Sequence, residues 1–102
     1  MRILIIQGDF FISNNQLTSL KYCPSIIKGN FNCSNNKLTS LEHCPKEIEK
    51  GFNCKNNEIK SLEGIPEVIN DFLDVSNNQL NSLKGISKEI NGDLYINENK
   101  IT

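Results

Sequence analysis

Apolar residues recur along this chain in columns spaced 21 residues apart, without a single insertion. Six columns share the spacing: Ile6, Ile27, Ile48, Ile69, Ile90; Phe10, Phe31, Phe52, Leu73, Leu94; Ile12, Cys33, Cys54, Val75, Ile96; Leu17, Leu38, Ile59, Leu80, Ile101; Leu20, Leu41, Leu62, Leu83; and Cys23, Cys44, Ile65, Ile86. One spacing shared by six columns predicts a repeat array in which each unit forms one coil and buries its neighbour.

The apolar columns also indicate the shape of one unit. Phe31, Asn32 and Cys33 alternate apolar, polar and apolar, which predicts a short strand with one buried face. Equivalent strands are expected near 10–12, 31–33, 52–54, 73–75 and 94–96. Prolines at 24, 45 and 66 favour a turn or a short 3₁₀ segment at the end of each unit, because proline donates no backbone hydrogen bond.

The predicted fold is a single domain over residues 1–102, with a partial coil at 1–8 and about five coils in total. Stacked units place their strands side by side in one parallel sheet on the concave side. Turns or short 3₁₀ segments form the convex side, because a unit of 21 residues leaves little room for a helix.

An asparagine pair recurs with the same 21-residue spacing. We interpret the second member as structural, since an inward amide supplies both a donor and an acceptor where a strand leaves the sheet. The first member is expected to face outward. The predicted asparagine ladder consists of Asn15, Asn36, Asn57, Asn78 and Asn99.

The segment from Phe31 to Leu41, FNCSNNKLTSL, resembles the core of a leucine-rich repeat. With Cys-Pro and then Ile after Thr-Ser-Leu, the whole unit is similar to the short Asn- and Cys-rich leucine-rich repeats of bacteriophages, large DNA viruses and some bacteria. The resemblance covers essentially the whole chain, although Ile65 and Ile86 replace the cysteine and Ser87 replaces the proline. It implies a leucine-rich-repeat solenoid that binds a protein without catalysis, such as a phage or viral inhibitor of a host protein.

Charge and hydropathy exclude several other functions. Eleven Lys and Arg against twelve Asp and Glu give a net charge of −1, so the chain lacks the basic excess that nucleic acid or anionic lipid requires. The apolar run Ile3–Ile6 is shorter than the roughly 7–15 residues of a signal peptide and the roughly 20 of a membrane span. We therefore expect a cytoplasmic protein, in the host cytoplasm if the origin is a phage or virus, with no nucleic-acid or membrane partner.

The four cysteines share their columns with Ile and Val, which predicts free, buried thiols. A disulfide is a weaker alternative, because the side chains of stacked cysteines point in parallel. A metal site is also weaker, because His43 is the single histidine and is expected on an exposed turn. The chain shows no phosphate-binding glycine motif and no nucleophile elbow. No enzyme activity, catalytic residue, cofactor or metal is expected.

The outward strand positions form the predicted contact surface. Its central column is Phe11, Asn32, Asn53, Asp74, Tyr95, and its flanking columns are Asp9, Asn30, Gly51, Phe72, Asp93 and Ser13, Ser34, Lys55, Ser76, Asn97. Three aromatic side chains are expected to face solvent there, and exposed aromatics favour a protein partner. The candidate protein-binding residues are Phe11, Asn32, Asn53, Lys55, Phe72, Asp74 and Tyr95. The alternative is that Phe11 and Tyr95 only cover the ends of the array.

The ends of the array suggest a second function. Solenoids normally shield their terminal cores with polar capping units, and neither end of this sequence contains one. Unpaired strand edges and exposed apolar residues favour association with another chain, so an open end is a second candidate surface for the protein partner. The alternative hypothesis is therefore a self-assembling structural unit, with a homodimer formed through Leu94, Ile96 and Ile101.

Overall fold

The computed structural model describes residues 3–101, which wind into a parallel-strand β-solenoid of about four turns. No helix forms within that range. Each strand residue pairs with the residue 21 positions away, as Phe31 does with Phe52. The predicted repeat length and the parallel stacking of the units are therefore confirmed.

The strands form two five-stranded sheets, and each strand is two residues long. The first sheet contains β1 (Ile5–Ile6), β3 (Ile26–Ile27), β5 (Glu47–Ile48), β7 (Val68–Ile69) and β9 (Glu89–Ile90), in that order. The second sheet contains β2 (Phe10–Phe11), β4 (Phe31–Asn32), β6 (Phe52–Asn53), β8 (Leu73–Asp74) and β10 (Leu94–Tyr95). Every pairing is parallel because each coil runs in the same direction as its neighbour.

The structure differs from the predicted architecture in two respects. The isoleucine column starting at Ile6 forms its own strands, so each coil contributes to two sheets instead of one. The chain crosses each sheet five times and so completes about four turns, not about five coils. Hydrogen-bonded turns at 21–22, 42–43, 63–64 and 84–85 occupy the unit ends, so of the two predicted alternatives, a turn or a short 3₁₀ segment, the turn is the one that forms among residues 3–101.

The core is built from the inward apolar columns. Phe10 stacks on Phe31 with ring centroids 5.9 Å apart, and Phe31 stacks on Phe52 at 5.2 Å. Leu41 and Leu62 are fully buried, so trimming either to Ala is expected to cost about 2–5 kcal/mol. Each coil thus buries the apolar face of the next, which explains why one unit alone has no core.

The second asparagine of each pair joins its coil to the preceding coil. Asn57 Nδ2 donates to Cys54 O in its own coil and to Cys33 O in the preceding coil, both at 3.1 Å. Asn57 Oδ1 accepts from Leu38 N at 3.0 Å. The same pattern holds at Asn36, Asn78 and Asn99. Asn15 Nδ2 donates only within its own coil, to Ile12 O and Ser13 O, among the residues that the structure describes.

The first residue of each pair has a different role. Asn14, Asn35, Asn56 and Asn77 have φ between 54° and 60°, and Glu98 has φ 58°. Asparagine tolerates this left-handed conformation better than most residues. Asn56 Nδ2 also donates to Asn35 Oδ1 at 2.7 Å. The pair therefore combines a left-handed residue with an amide that joins coils.

Candidate functional site

The second sheet places its outward residues in one row. Phe11 pairs with Asn32, Asn32 with Asn53, Asn53 with Asp74, and Asp74 with Tyr95. Because parallel strands lie about 4.8 Å apart, the row extends over about 19 Å. We call the surface carried by this row and its two flanking columns the row face.

The two ends of the row are aromatic and exposed. Phe11 is 62% exposed and Tyr95 is 45% exposed, whereas the three residues between them are half-buried. Large apolar side chains on an otherwise polar sheet are favourable contact points for a protein partner, because their burial removes apolar area from water.

The amides at the centre of the row are held in fixed orientations. Asn32 Oδ1 accepts from Ser34 N at 2.9 Å, and Asn53 Oδ1 accepts from Lys55 N at 3.1 Å. The Nδ2 groups of both asparagines donate to no other residue within 3–101. Two oriented amide donors therefore remain available on the surface of the sheet.

The other half of the row is acidic. Asp74 Oδ1 accepts from Ser76 N at 3.0 Å and from Ser76 Oγ at 2.6 Å. Tyr95 Oη donates to Asp93 Oδ2 at 3.4 Å, and the charge of Asp93 raises the pKa of Tyr95. Lys55 is half-buried beside the row, and within the described residues its ammonium group makes no ion pair.

Phe72 does not face solvent as freely as the sequence predicted. Its ring lies over Gly51 on the preceding coil, where a Cβ on Gly51 would overlap the Phe72 ring atoms Cδ1 and Cε1. Phe72 is consequently half-buried. The glycine leaves room for the ring, so Phe72 contributes to packing between coils as well as to the row face.

The candidate self-association residues differ in exposure. Leu94 is 39% exposed, whereas Ile96 and Ile101 are half-buried and pack against the core. At the opposite end of the described range, Ile3, Leu4 and Ile5 are between 43% and 65% exposed. Within residues 3–101, strands β1 and β9 are the outermost strands of the first sheet, and each is hydrogen-bonded on one side only.

All four cysteines are free thiols. Cys33, Cys44 and Cys54 are buried and Cys23 is half-buried, and burial raises the pKa of each thiol. His43 is exposed on a turn, and its Nε2 lies 3.5 Å from Glu42 Oε1. Within residues 3–101, no three His, Cys, Asp or Glu side chains are grouped so as to hold a metal ion.

The left-handed turn positions at the unit ends, one of which carries the exposed ring of Tyr22, were not predicted from the sequence. Tyr22 and His43 have φ of 73° and 70°, at turn positions where the next two units carry Gly64 and Gly85. Tyr22 is 87% exposed, and the Lys21 ammonium lies 5.2 Å from its ring centroid. The signal was visible in the column itself, because glycine in two units indicates a left-handed backbone in all four.

Comparison of the chain with protein-family models, with curated proteins and with solved structures found no match. None of the segments that the structure describes forms a helix long and apolar enough to cross a membrane.

Proposed function

We propose that this chain is a non-enzymatic protein-binding module of the leucine-rich-repeat type, which captures a protein partner on the row face. The observation that carries the proposal is the row itself. It combines exposed aromatic side chains at both ends with oriented amide donors between them. Contact surfaces of this composition bind proteins through a few aromatic anchors and a surrounding polar network.

The repeat sequence supports the leucine-rich-repeat class. Units such as FNCSNNKLTSL, about four stacked turns and a ladder of buried asparagines are in keeping with it. By the same resemblance, we propose a phage or viral origin and a host protein as the partner. Occupation of the partner's surface would then inhibit it.

Substitution of Phe11 and Tyr95 tests the proposal most directly. Immobilised wild-type chain captures the partner from a lysate of the source or host cell, and calorimetry with the purified partner then gives the affinity. Removal of two aromatic anchors in Phe11→Ser/Tyr95→Ser is expected to weaken binding by about 30-fold or more. Phe72 is omitted, because Phe72→Ser would also remove packing against Gly51.

Tyr22→Ser is the matched control, because it also removes an exposed aromatic ring but lies on a turn outside the row face. It should bind the partner as the wild type does. If the double variant keeps wild-type affinity, the row face is not the contact surface. If Tyr22→Ser alone abolishes binding, the partner occupies the turn side of the solenoid.

Self-assembly is the second candidate function, favoured by the exposure of Ile3, Leu4, Ile5 and Leu94. These residues lie on or next to the outermost strands β1 and β10, which pair on one side only among the described residues. Light scattering over a range of protein concentrations measures the solution mass under reducing conditions. Self-assembly predicts a mass that rises to a dimer and returns to a monomer in Leu94→Ser. Tyr95→Ser is the control in the same strand, and a monomer at every concentration would reject this candidate.

A further inference from the structure

The corner between β9 and β10 contains the only Asn-Gly step of the sequence, Asn91-Gly92. Both residues are exposed, and neither belongs to the row face. An asparagine followed by glycine is the step at which a polypeptide deamidates most readily, because glycine has no Cβ to obstruct attack of its nitrogen on the asparagine side chain. The corner therefore exposes a reactive dipeptide to water.

The attacking atom of this reaction, Gly92 N, makes no backbone hydrogen bond. In the same column of two earlier coils, Gly29 N donates to Gly8 O at 3.0 Å and Lys50 N donates to Gly29 O at 3.3 Å. Gly92 N donates to no acceptor among residues 3–101. Because a hydrogen-bonded N–H must leave its acceptor before it can react, the unbonded N–H of Gly92 is the more accessible nucleophile.

The atom that is attacked, Asn91 Cγ, belongs to an amide with surface contacts only. Asn91 Nδ2 donates to Glu89 Oε2 at 3.0 Å and to Asn70 Oδ1 at 3.5 Å, and all three side chains are exposed. Asn57, in contrast, is buried and bonds to backbone groups of two coils. The Asn91 amide can therefore rotate onto Gly92 N by exchanging surface hydrogen bonds for bonds to water, whereas the buried amides of the ladder cannot.

The packing of the last coil requires the glycine. A Cβ at Gly92 would lie 2.5 Å from Asp71 C and 2.6 Å from Phe72 N, so the two coils approach too closely for any side chain at this position. Glycine is the residue that permits such a close approach of two backbones. The reactive dipeptide is thus tied to the way in which the last coil packs on the coil before it.

We propose that Asn91 deamidates spontaneously in the folded chain and becomes aspartate or isoaspartate. Gly92 N forms a bond to Asn91 Cγ, the Cγ–Nδ2 bond breaks, and the proton of Gly92 N passes through water to the leaving nitrogen, which departs as ammonia. Water then opens the resulting five-membered succinimide. Cleavage of the new Cγ–N bond gives aspartate, and cleavage of the original C–N bond gives isoaspartate, whose main chain runs through Cβ and Cγ.

Both products place a new carboxylate on the last coil and add one negative charge to the net charge of −1. The new carboxylate lies beside Glu89, so a hydrogen bond is replaced by repulsion between like charges. Isoaspartate also adds one main-chain atom between β9 and β10, and the register that pairs these strands with β7 and β8 no longer fits. The reaction therefore loosens the coil that carries Tyr95 as the protein ages.

Peptide mapping after incubation at mildly alkaline pH tests the proposal. Cleavage after Lys88 and Lys100 releases the segment 89–100, in which deamidation at Asn91 adds about 1 Da. Asn91 should react at least about 10-fold faster than Asn70, which is exposed at the equivalent position of the preceding coil but is followed by aspartate. Asn91→Gln is the matched variant and should lose the fast reaction.

A synthetic peptide with the sequence of residues 89–95 separates the effect of the fold from the chemistry of the dipeptide. The folded chain should deamidate within about 10-fold of the rate of the peptide, because the N–H of Gly92 is unbonded in both. If Asn91 stays intact in the folded chain while the peptide reacts, or if Asn70 reacts as fast, the proposal is overturned.

Urea unfolding tests the effect on the last coil. Isoaspartate at residue 91 is detected by labelling with a protein-isoaspartate methyltransferase, and anion exchange separates the aged forms. The isoaspartate form should unfold at a lower urea concentration than Asn91→Asp, which has the new charge without the extra main-chain atom. Unfolding of the isoaspartate form at the same urea concentration as the fresh wild-type chain would contradict the loosening of this coil.

Discussion

The ring of Phe72 lies in the space that a side chain at Gly51 would occupy one coil earlier. Their positions in the flanking column are 21 residues apart, so the contact repeats the translation that builds the solenoid. The absence of a side chain at Gly51 therefore allows an aromatic residue to cover the neighbouring coil. This relationship links the packing of the row face to its composition.

The contact predicts that the effect of Gly51→Ala depends on residue 72. With Phe72 present, the new methyl group forces the ring away, and the free energy of unfolding should fall by about 1–3 kcal/mol. In a Phe72→Ala background no ring is displaced, and Gly51→Ala should stabilise by about 0.4–1 kcal/mol because alanine restricts the unfolded chain. Urea denaturation of the four proteins measures this cycle, and additive effects would show that the ring does not contact Gly51 in solution.

The asparagine ladder predicts that removing the side chain lowers the free energy of unfolding by different amounts at two equivalent positions of the repeat. Asn57 is buried and bonds to backbone groups of two coils, so Asn57→Ala should lower the free energy of unfolding by roughly 1–3 kcal/mol. Asn15 is exposed and its side chain donates only within its own coil among the described residues, so Asn15→Ala should cost less than about 1 kcal/mol. Equal losses in urea denaturation would mean that burial does not determine the strength of the ladder.

The turn column consists of Tyr22, His43, Gly64 and Gly85. It predicts that substitutions at His43 and Gly64 change the free energy of unfolding in opposite directions. His43 has φ 70°, and a left-handed residue with a Cβ costs about 1–2 kcal/mol. His43→Gly should therefore raise the free energy of unfolding by about 0.5 kcal/mol, after the larger entropy of the unfolded glycine is subtracted. Gly64→Ala should lower it by more than about 1 kcal/mol, since its φ is 98° and the added Cβ would lie 2.6 Å from Leu41 O.

Gly85→Ala is the control for the steric clash at Gly64. The Cβ added at Gly85 would lie 3.2 Å from its nearest atom, Glu63 N, compared with 2.6 Å at Gly64. It should cost less than Gly64→Ala in the same thermal or urea measurement. A stabilising Gly64→Ala, or a destabilising His43→Gly, would contradict the left-handed assignment of this column.

The buried thiols predict a loss of stability in alkaline solution. Burial raises the pKa of Cys33, Cys44 and Cys54 in the folded chain above the ordinary value of 9.0. Since the protonated thiol is favoured more strongly in the folded state, its contribution is fully present below pH 9. The free energy of unfolding should then fall as the pH rises above 9 toward the folded pKa values.

Cys33→Val/Cys54→Val isolates this effect, because Tyr95 and Lys28 also have raised pKa values and remain in the variant. Urea denaturation at several pH values between about 7 and 10.5 should give a shallower decline in the variant than in the wild type. Identical declines would show that ionisation of these two thiols is not coupled to unfolding.

Much of the fold follows from the order of the residues. The 21-residue spacing implies stacked coils, and the alternation at Phe31, Asn32 and Cys33 assigns inward and outward sides in the second sheet. These features are predictable because they repeat, and a periodic chain has the same environment at equivalent positions. The row of Phe11, Asn32, Asn53, Asp74 and Tyr95 could be assembled for the same reason.

Features that depend on contacts across coils could not be obtained this way. Two-residue segments such as Ile26–Ile27 are too short to show a strand period, and they pair only because neighbouring coils present complementary backbone groups. The half-burial of Phe72 depends on Gly51 on the preceding coil, a contact that the repeat does not specify because neither residue recurs in its column. Local pattern thus specifies which side of a coil is buried, whereas packing between coils determines backbone pairing and the exposure of each surface residue.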